Sequence, residues 1–275
     1  MHRPFSAPRS SLPPPRGLRA ALAALLLLPA AAGAAELIKA RNGSGYFGYK
    51  DTPKLPWCDW LVHDPDRPAP PRVLPGPAGA PVSAPADAII LFDGHDTRAW
   101  QAPHDWKIEG GHLVAGDKKL SSTARFGDLQ LHLEWQSPAG FNGPWSNQGN
   151  NGVFLMGLYE IQIFDSHTVK IYPDGACGAI YGQTPPLVEA TRPPGEWQTY
   201  DIVFRAPRFA GGKLVAPARV TVLLNGILVQ DNEPIHGETG HRKLPAYTDT
   251  TGTGPVALGG HGCPIRFRNL WVRKL

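Results

Sequence analysis

The segment 129–135 alternates strictly between apolar and polar residues, and this pattern constrains the fold more than any other. Its sequence is LQLHLEW, so the three leucines and Trp135 share one face of an extended strand. Asn225-Gly226 is a strong hairpin signal, and further β-prone runs lie at 200–205, 219–224 and 265–271. No ten-residue stretch after residue 35 has helical periodicity. The sequence therefore predicts an all-β fold, a two-sheet antiparallel β-sandwich or jelly roll over residues 87–275.

Residues 1–35 have the composition of a secretory signal peptide. Four arginines, the last of them Arg19, precede a short apolar run, Ala20–Leu28, and small residues follow it at Ala32–Ala35. The run is shorter than the roughly 20 apolar residues that a membrane-spanning helix needs. We expect this segment to be removed and the mature protein to be exported to the periplasm or secreted, with no membrane span.

The basic character of the whole chain comes from this leader. The chain carries a formal charge of +4, but residues 1–35 contain four arginines and no acidic residue. Without them the 27 basic residues fall to 23, which equals the number of acidic residues. A neutral mature chain has no electrostatic footprint for nucleic acid, and a neutral small molecule is the simpler partner to expect.

Residues 36–86 form a predicted N-terminal arm. Ten of the 30 prolines lie between Pro53 and Pro85, and proline lacks the N–H that a central strand must donate. Ahead of most of these prolines, five aromatic residues lie between Tyr46 and Trp60. Because so many aromatic side chains would not be left in water, we expect the arm to pack on the sandwich.

Three cysteines follow the leader, Cys58, Cys177 and Cys263. An odd number fixes no disulfide framework, although one disulfide with one free thiol is possible in an oxidising compartment. Their spacing matches no zinc site, and we interpret them as small buried residues.

The segment 159–165, YEIQIFD, carries the first candidate site residues. On a strand, Glu160 and Gln162 lie on one face, about 7 Å apart, while Tyr159 and two isoleucines lie on the other. The aliphatic face belongs in a core. The opposite face is either a solvated strand face or a site, and the recurrence of similar polar residues elsewhere in the chain favours a site.

A second candidate segment is 259–271, GGHGCPIRFRNLW. His261 lies between glycines that let the backbone approach a ligand closely. Arg268 follows, and a histidine with a nearby arginine can serve as a base and an anion stabiliser. Elsewhere, Tyr181 and Trp197 are candidates for stacking on a sugar ring, although both residue types are as often ordinary core aromatics.

In combination, eight short motifs resemble the 3-keto-disaccharide hydrolase domain family, and their order along the chain is the family's. The resemblance covers about Ala88 to Leu275, with two departures: Leu258-Gly259-Gly260 before His261 lacks the carboxamide usual there, and Leu155-Met156-Gly157 stands where an arginine is frequent. The motifs are Leu91-Phe-Asp-Gly with Trp100, Trp106-Lys-Ile-Glu-Gly-Gly, Gly149-Asn-Asn-Gly-Val-Phe, Tyr159-Glu-Ile-Gln-Ile-Phe-Asp-Ser, Gly178-Ala-Ile-Tyr, Pro194-Gly-Glu-Trp, Leu224-Asn-Gly and His261-Gly followed by Phe267-Arg-Asn-Leu.

The resemblance implies a concanavalin-like jelly roll that cleaves glycosides bearing a ketone at C3. Such a ketone acidifies the C2 proton, so a base can remove it and the glycosidic oxygen at C1 can leave by elimination. Either Glu160 or His261 is the base in this scheme, and Arg268 stabilises the enolate. Gln162 positions hydroxyls. The other residues assigned to substrate binding are Asn151, Tyr181, Asp165 and Trp197.

Two alternatives remain open from the sequence. A conventional retaining glycosidase needs two carboxylates about 5–5.5 Å apart, whereas this strand presents only Glu160 on the site face. A non-catalytic carbohydrate-binding module would use the same fold and aromatics. The sequence requires no cofactor and predicts no metal site, but it leaves a divalent cation near Asp165, His167 and Asp174 open. The oligomeric state is likewise not determined.

Overall fold

The computed structural model describes Met1, residues 36–248 and residues 252–275. The predicted signal peptide, apart from Met1, lies outside the described residues. The described residues from 36 onward form one compact unit. Strands and two 3₁₀ turns, Trp145–Asn147 and Pro173–Gly175, make up its regular structure. The strands are β1 (Ile38–Lys39), β2 (Phe47–Gly48), β3 (Ile89–Phe92), β4 (Lys107–Glu109), β5 (His112–Val114), β6 (Leu120–Phe126), β7 (Leu129–Gln136), β8 (Asn151–Leu155), β9 (Tyr159–Ile163), β10 (Gln198–Arg205), β11 (Arg208–Ala210), β12 (Lys213–Ala216), β13 (Arg219–Leu224), β14 (Ile227–Pro234), β15 (Gly254–Leu258) and β16 (Arg266–Lys274).

Two antiparallel sheets form the sandwich. The large sheet has eight strands in the order β14-β13-β10-β7-β16-β5-β4, with β3 also paired to β16. The small sheet has four strands in the order β6-β15-β8-β9. The predicted all-β, two-sheet antiparallel fold is therefore confirmed. Several neighbouring strands, such as β7 with β16 and β6 with β15, are distant in sequence, as is typical of a jelly roll.

The alternating patterns in the sequence decide which face of each strand enters the core. In β7 the three leucines and Trp135 are at most 1% exposed and pack in the main hydrophobic cluster. Tyr159, Ile161 and Ile163 of β9 enter the same cluster from the small sheet. Burying each such side chain contributes about 1.5–3 kcal/mol, and a register slip of one residue would turn the whole set outward.

The Asn225-Gly226 hairpin is confirmed between β13 and β14. Leu224 pairs with Ile227, so the turn contains only the two predicted residues. Both have positive φ, 55° for Asn225 and 79° for Gly226, as a type I′ turn requires.

The arm lies along the sandwich rather than apart from it. Phe47 forms a parallel bridge with Ile171, and Arg72 forms another with Glu189. In its aromatic half, the backbone N–H of Tyr49 donates to the carbonyl of His63 within the arm. The arm thus runs beside the loops that follow β9.

All three cysteines are free thiols, so no disulfide forms among them. Cys177 and Cys263 are buried, and Cys58 is half-buried. Burial raises the pKa of the Cys177 thiol to about 12, which keeps it protonated and inert. Within the described residues, no helix is long and apolar enough to cross a membrane.

Candidate active site

Glu160 lies on the outer face of the small sheet, the face turned away from the core. Its neighbours on β9, Tyr159 and Ile161, point into the core, so alternation directs the Glu160 side chain outward. The residue is nevertheless only 8% exposed, because other segments cover this face. Burial raises the pKa of the Glu160 carboxyl to about 8, against the opposing charge of Lys119. At neutral pH this carboxyl is mostly protonated and can act as an acid.

Gly152 makes room for the carboxyl. A Cβ at this position would lie 2.1 Å from Oε1 of Glu160, which no side chain could tolerate without moving the carboxyl. Gly152 is on β8, and its neighbour Phe154 lies directly opposite Glu160 in the strand pair. The glycine in the Gly149-Asn-Asn-Gly motif therefore has a definite role in the site.

Lys119 brings a positive charge to the same face. It immediately precedes β6, and its Nζ lies 3.5 Å from the centroid of the Phe154 ring in a cation–π contact. Partial burial lowers the pKa of Lys119, while the charges of Glu160 and Glu238 oppose that shift. The sequence analysis missed Lys119, since a lysine beside another lysine in a surface turn carries no pattern.

His261 lies in the loop that follows β15, and two asparagines hold this loop. Asn147 donates from Nδ2 to the carbonyl of His261 at 2.6 Å, and Asn151 donates in the same way to Gly259 at 2.6 Å. Partial burial, and then the charge of Lys119, lower the pKa of His261 below its ordinary 6.5. The imidazole is therefore neutral at pH 7 and can accept a proton. Lys119 therefore acts electrostatically on both His261 and Glu160.

Tyr181 and Thr239 border Glu160 on the other side. The backbone N–H of Glu160 donates to Oγ1 of Thr239 at 3.0 Å, and the N–H of Tyr181 donates to the Glu160 carbonyl at 3.1 Å. The Tyr181 hydroxyl lies 3.0 Å from Nδ1 of His241, which is exposed. The structure thus places Tyr181 beside Glu160, while Lys119 acts on both Glu160 and His261; neither Lys119 nor His241 was predicted.

Three other predicted residues lie near Glu160 but differ in the hydrogen-bonding atoms that they leave for a ligand: Gln162, Asn151 and Asp165. Gln162 shares the outer face with Glu160, and its buried Oε1 has no hydrogen-bond partner among the described residues. Asn151 is fully buried, and its side chain is engaged with Gly259 and Gly152. Asp165 accepts from the backbone N–H of Thr168 at 3.1 Å, which shapes the loop after β9. The Oε1 atom of Gln162 is therefore an acceptor without a partner among the described residues.

The acidic and histidine residues after β9 do not converge. The His167 ring contacts Arg72, whereas Asp174 holds His63. The described residues contain no group of three or more His, Cys, Asp or Glu side chains placed to bind a metal ion.

Arg268 and Trp197 lie on the other side of the molecule, contrary to the roles predicted beside Glu160. On β16, Phe267 enters the core, so Arg268 points to the outer face of the large sheet. There its Nε donates to Glu134 at 2.7 Å, and its guanidinium stacks 3.9 Å from the Trp197 ring. The core separates these residues from Glu160. The alternation of Arg268 with Phe267 along the strand does not encode which sheet that strand joins.

Arg268 belongs to a buried ionic cluster with Glu134 and His132. Burial alone would lower the pKa of His132, but hydrogen bonds to Asp201 and Glu134 outweigh it and raise this pKa to about 9. Burial would raise the pKa of Glu134, but His132, Asn269 and Arg268 lower it to about 2. Every member has partners, which is typical of a structural network.

We expect a Glu134→Gln variant to lower the free energy of unfolding by about 3 kcal/mol at pH 7, because it removes the carboxylate that Arg268 pairs with and one of the two carboxylates around His132. The pKa of Glu134 is lowered on folding, so its contribution is present above 4.5 and lost as pH falls toward 2. The difference in the free energy of unfolding between variant and wild type should shrink as the pH falls over that range. Urea unfolding measures it, with the exposed Glu109→Gln as control. Equal stability at pH 7 would show that the cluster contributes nothing.

Comparison with known proteins provides independent information. Residues 87–273 match a family described as the 3-keto-alpha-glucoside-1,2-lyase-like domain. A 2.13 Å crystal structure of a candidate glycosyl hydrolase from Parabacteroides distasonis ATCC 8503 is similar, with 38% identity and a TM-score of 0.68 over 76% of this chain and 93% of that one. A second from the same organism, at 1.70 Å, is 21% identical with a TM-score of 0.51 over 69% and 94%, a likeness of fold. No curated protein matches this chain.

Proposed function

Because this chain belongs to the 3-keto-alpha-glucoside-1,2-lyase-like domain family, we propose that it cleaves glycosides whose C3 hydroxyl has been oxidised to a ketone. The family and the 38% identical structure support a carbohydrate-active protein that acts on glycosidic bonds. The observation that carries the proposal is that Lys119 acts on both Glu160 and His261, whose pKa values shift in opposite directions. One pKa is raised and the other lowered, so an acid and a base are available together near pH 7.

The reaction is an elimination followed by addition of water. His261 removes the proton from C2, and Lys119 stabilises the negative charge that develops on the C3 oxygen. The C1–O bond breaks, its electrons leave with the glycosidic oxygen, and Glu160 supplies a proton to that oxygen. The electrons of the former C2–H bond become the C1–C2 double bond.

Addition of water returns Glu160 and His261 to their starting protonation states. The ionised Glu160 takes a proton from water as its oxygen bonds to C1, and protonated His261 returns a proton to C2. The net change is hydrolysis. Lys119 thus takes the role that the sequence analysis gave to Arg268, and Gln162 Oε1 is an acceptor for a sugar hydroxyl.

A substrate comparison tests the proposal. Purified protein is incubated with a chromophoric 3-keto-glucoside and with its unoxidised counterpart, each with and without a chelator. Release from the keto sugar alone is expected. Release from the unoxidised glucoside would favour conventional hydrolysis, with Glu238, whose charge also acts on Lys119, as the second carboxylate. Binding of either sugar without cleavage would favour a binding module. Activity lost with chelator would show that a divalent cation is needed.

A further inference from the structure

The arm, which lies outside residues 87–273 of the family match, holds a loop beside Glu160. This loop, residues 236–248, follows β14. At its start the His236 ring stacks on Trp57 of the arm, with centroids 3.7 Å apart and planes 9° from parallel. Further along, Arg242 donates to Asp51 of the arm at 2.7 Å. The arm therefore fixes the loop at two points on either side of His241.

Between these points the arm inserts His63 beneath the loop. His63 is fully buried, and Asp174 anchors it through the backbone N–H at 2.9 Å and through Nδ1 at 3.3 Å. Its ring centroid lies 4.0 Å from that of Tyr172, 5.0 Å from Tyr181 and 5.1 Å from His241. His63 also has a positive φ of 60°, an uncommon conformation that the surrounding packing must maintain. Its ring is thus a common support for three side chains.

Those three side chains form a hydrogen-bond chain. The hydroxyls of Tyr172 and Tyr181 are 2.9 Å apart, and the Tyr181 hydroxyl is 3.0 Å from Nδ1 of His241. If His241 donated to Tyr181, one of the two tyrosine hydroxyls would have no acceptor among the described residues, which is costly. In the opposite direction every donor is satisfied. Tyr181 then donates to Nδ1, so the hydrogen of the neutral ring is on Nε2.

We propose that the arm is part of the active site: His63 is a positioning residue that supports His241, and His241 donates a hydrogen bond from Nε2 to an oxygen of the bound sugar. This inference rests on the proposed function, because it places the sugar beside Glu160. Thr239, two residues before His241, accepts from the Glu160 N–H, which puts the loop at that site. Partial burial of the ring, with the charges of His63 and Arg242, also lowers the pKa of His241 to about 4, so the ring stays neutral at pH 7.

Kinetics on a 3-keto-glucoside test the donor and its support. His241→Ala and Tyr181→Phe are each expected to lower kcat/KM about tenfold, the usual effect of one hydrogen bond. The double variant should be no worse than His241→Ala, since both remove the same interaction. His63→Asn, chosen because asparagine tolerates positive φ, should lower kcat/KM by a similar factor in the wild-type background. In the His241→Ala background it should have no further effect. Lys54→Ala, in an exposed ion pair of the arm, is the matched control and should be unchanged.

Independent, multiplicative losses in the double variants would overturn the inference, as would full activity of His241→Ala. Nitrogen-15 NMR of the wild-type protein supplies a readout that does not depend on activity or on the stability of the His63 variant. We expect the Nε2–H tautomer for His241 and a mixture of tautomers in Tyr181→Phe. An Nδ1–H tautomer of His241 in the wild type would refute the hydrogen-bond chain from Tyr172 through Tyr181 to His241.

Failure of the proposed function can be distinguished from failure of the inference about His241. If the wild type cleaves no 3-keto-glucoside, the inference is tested by titrating 3-keto-glucose while following the His241 nitrogen signals. Saturable shifts of Nε2 support a sugar contact at His241, whereas unchanged signals at saturating sugar overturn it.

Discussion

A Glu160→Gln variant is expected to lose about 10²- to 10⁴-fold of its kcat on 3-keto glycosides with an alkyl or sugar leaving group. Glutamine matches the shape of glutamate and fits beside Gly152, but it cannot supply a proton to the departing oxygen. A nitrophenolate leaves without protonation, so the loss should be much smaller with that aglycone. Measuring kcat across a series of leaving groups tests this role. A loss that is equal for every leaving group would contradict the assignment of Glu160 as the acid.

The same variant has a stability signature that serves as a folding control. The pKa of Glu160 is raised from 4.5 to about 8 on folding, so the wild type loses stability as pH rises between these values. The loss is about 1.4 kcal/mol per pH unit in that window. Glutamine does not ionise. The variant should therefore gain stability relative to the wild type from pH 5 to pH 8, which calorimetry can measure.

The second large effect is expected for His261→Ala, which removes the base and should also cost about 10²- to 10⁴-fold in kcat. In the wild type, activity should rise with pH through the pKa of His261, below 6.5, and fall near pH 8 as Glu160 ionises. The pH profile of the residual activity should lose its acidic limb. Full kinetics across pH 4 to 10 measure both limbs.

His112→Ala is the matched control for this experiment. Burial lowers the pKa of His112 as it does for His261, but His112 packs against Trp197 on the large sheet. Its removal should leave both limbs of the profile in place. An acidic limb that persists in His261→Ala would assign the base to another group.

The fold was largely predictable from local patterns, because alternation and turn residues act within a few positions. The leucines of β7, the two faces of β9 and the Asn225-Gly226 turn all follow from the sequence. What alternation does not encode is which sheet a strand joins. Arg268 was therefore predicted to stabilise the enolate beside Glu160, whereas on β16 it lies opposite Glu134 in the large sheet.

The composition of the site was less predictable, because it depends on pairings between distant segments. Lys119 reaches Glu160 only because β6 and β9 belong to the same sheet, about 40 residues apart along the chain. The aromatic content of the arm predicted that it would pack, but not that His63 would reach the residues around Glu160. The close contact at Gly152 could have been predicted from the sequence, since a glycine within a strand often marks a place where another group approaches the backbone closely.

Detection of the eliminated sugar tests the central claim most directly. A single-turnover reaction of the wild-type protein with a 3-keto-glucoside is run in D₂O, quenched and analysed by mass spectrometry. The account predicts a transient enone that is one water lighter than 3-keto-glucose, followed by 3-keto-glucose with one deuterium at C2. Free 3-keto-glucose incubated in parallel controls for exchange. Cleavage that yields 3-keto-glucose with no enone and no deuterium at C2 would contradict elimination and require direct hydrolysis instead.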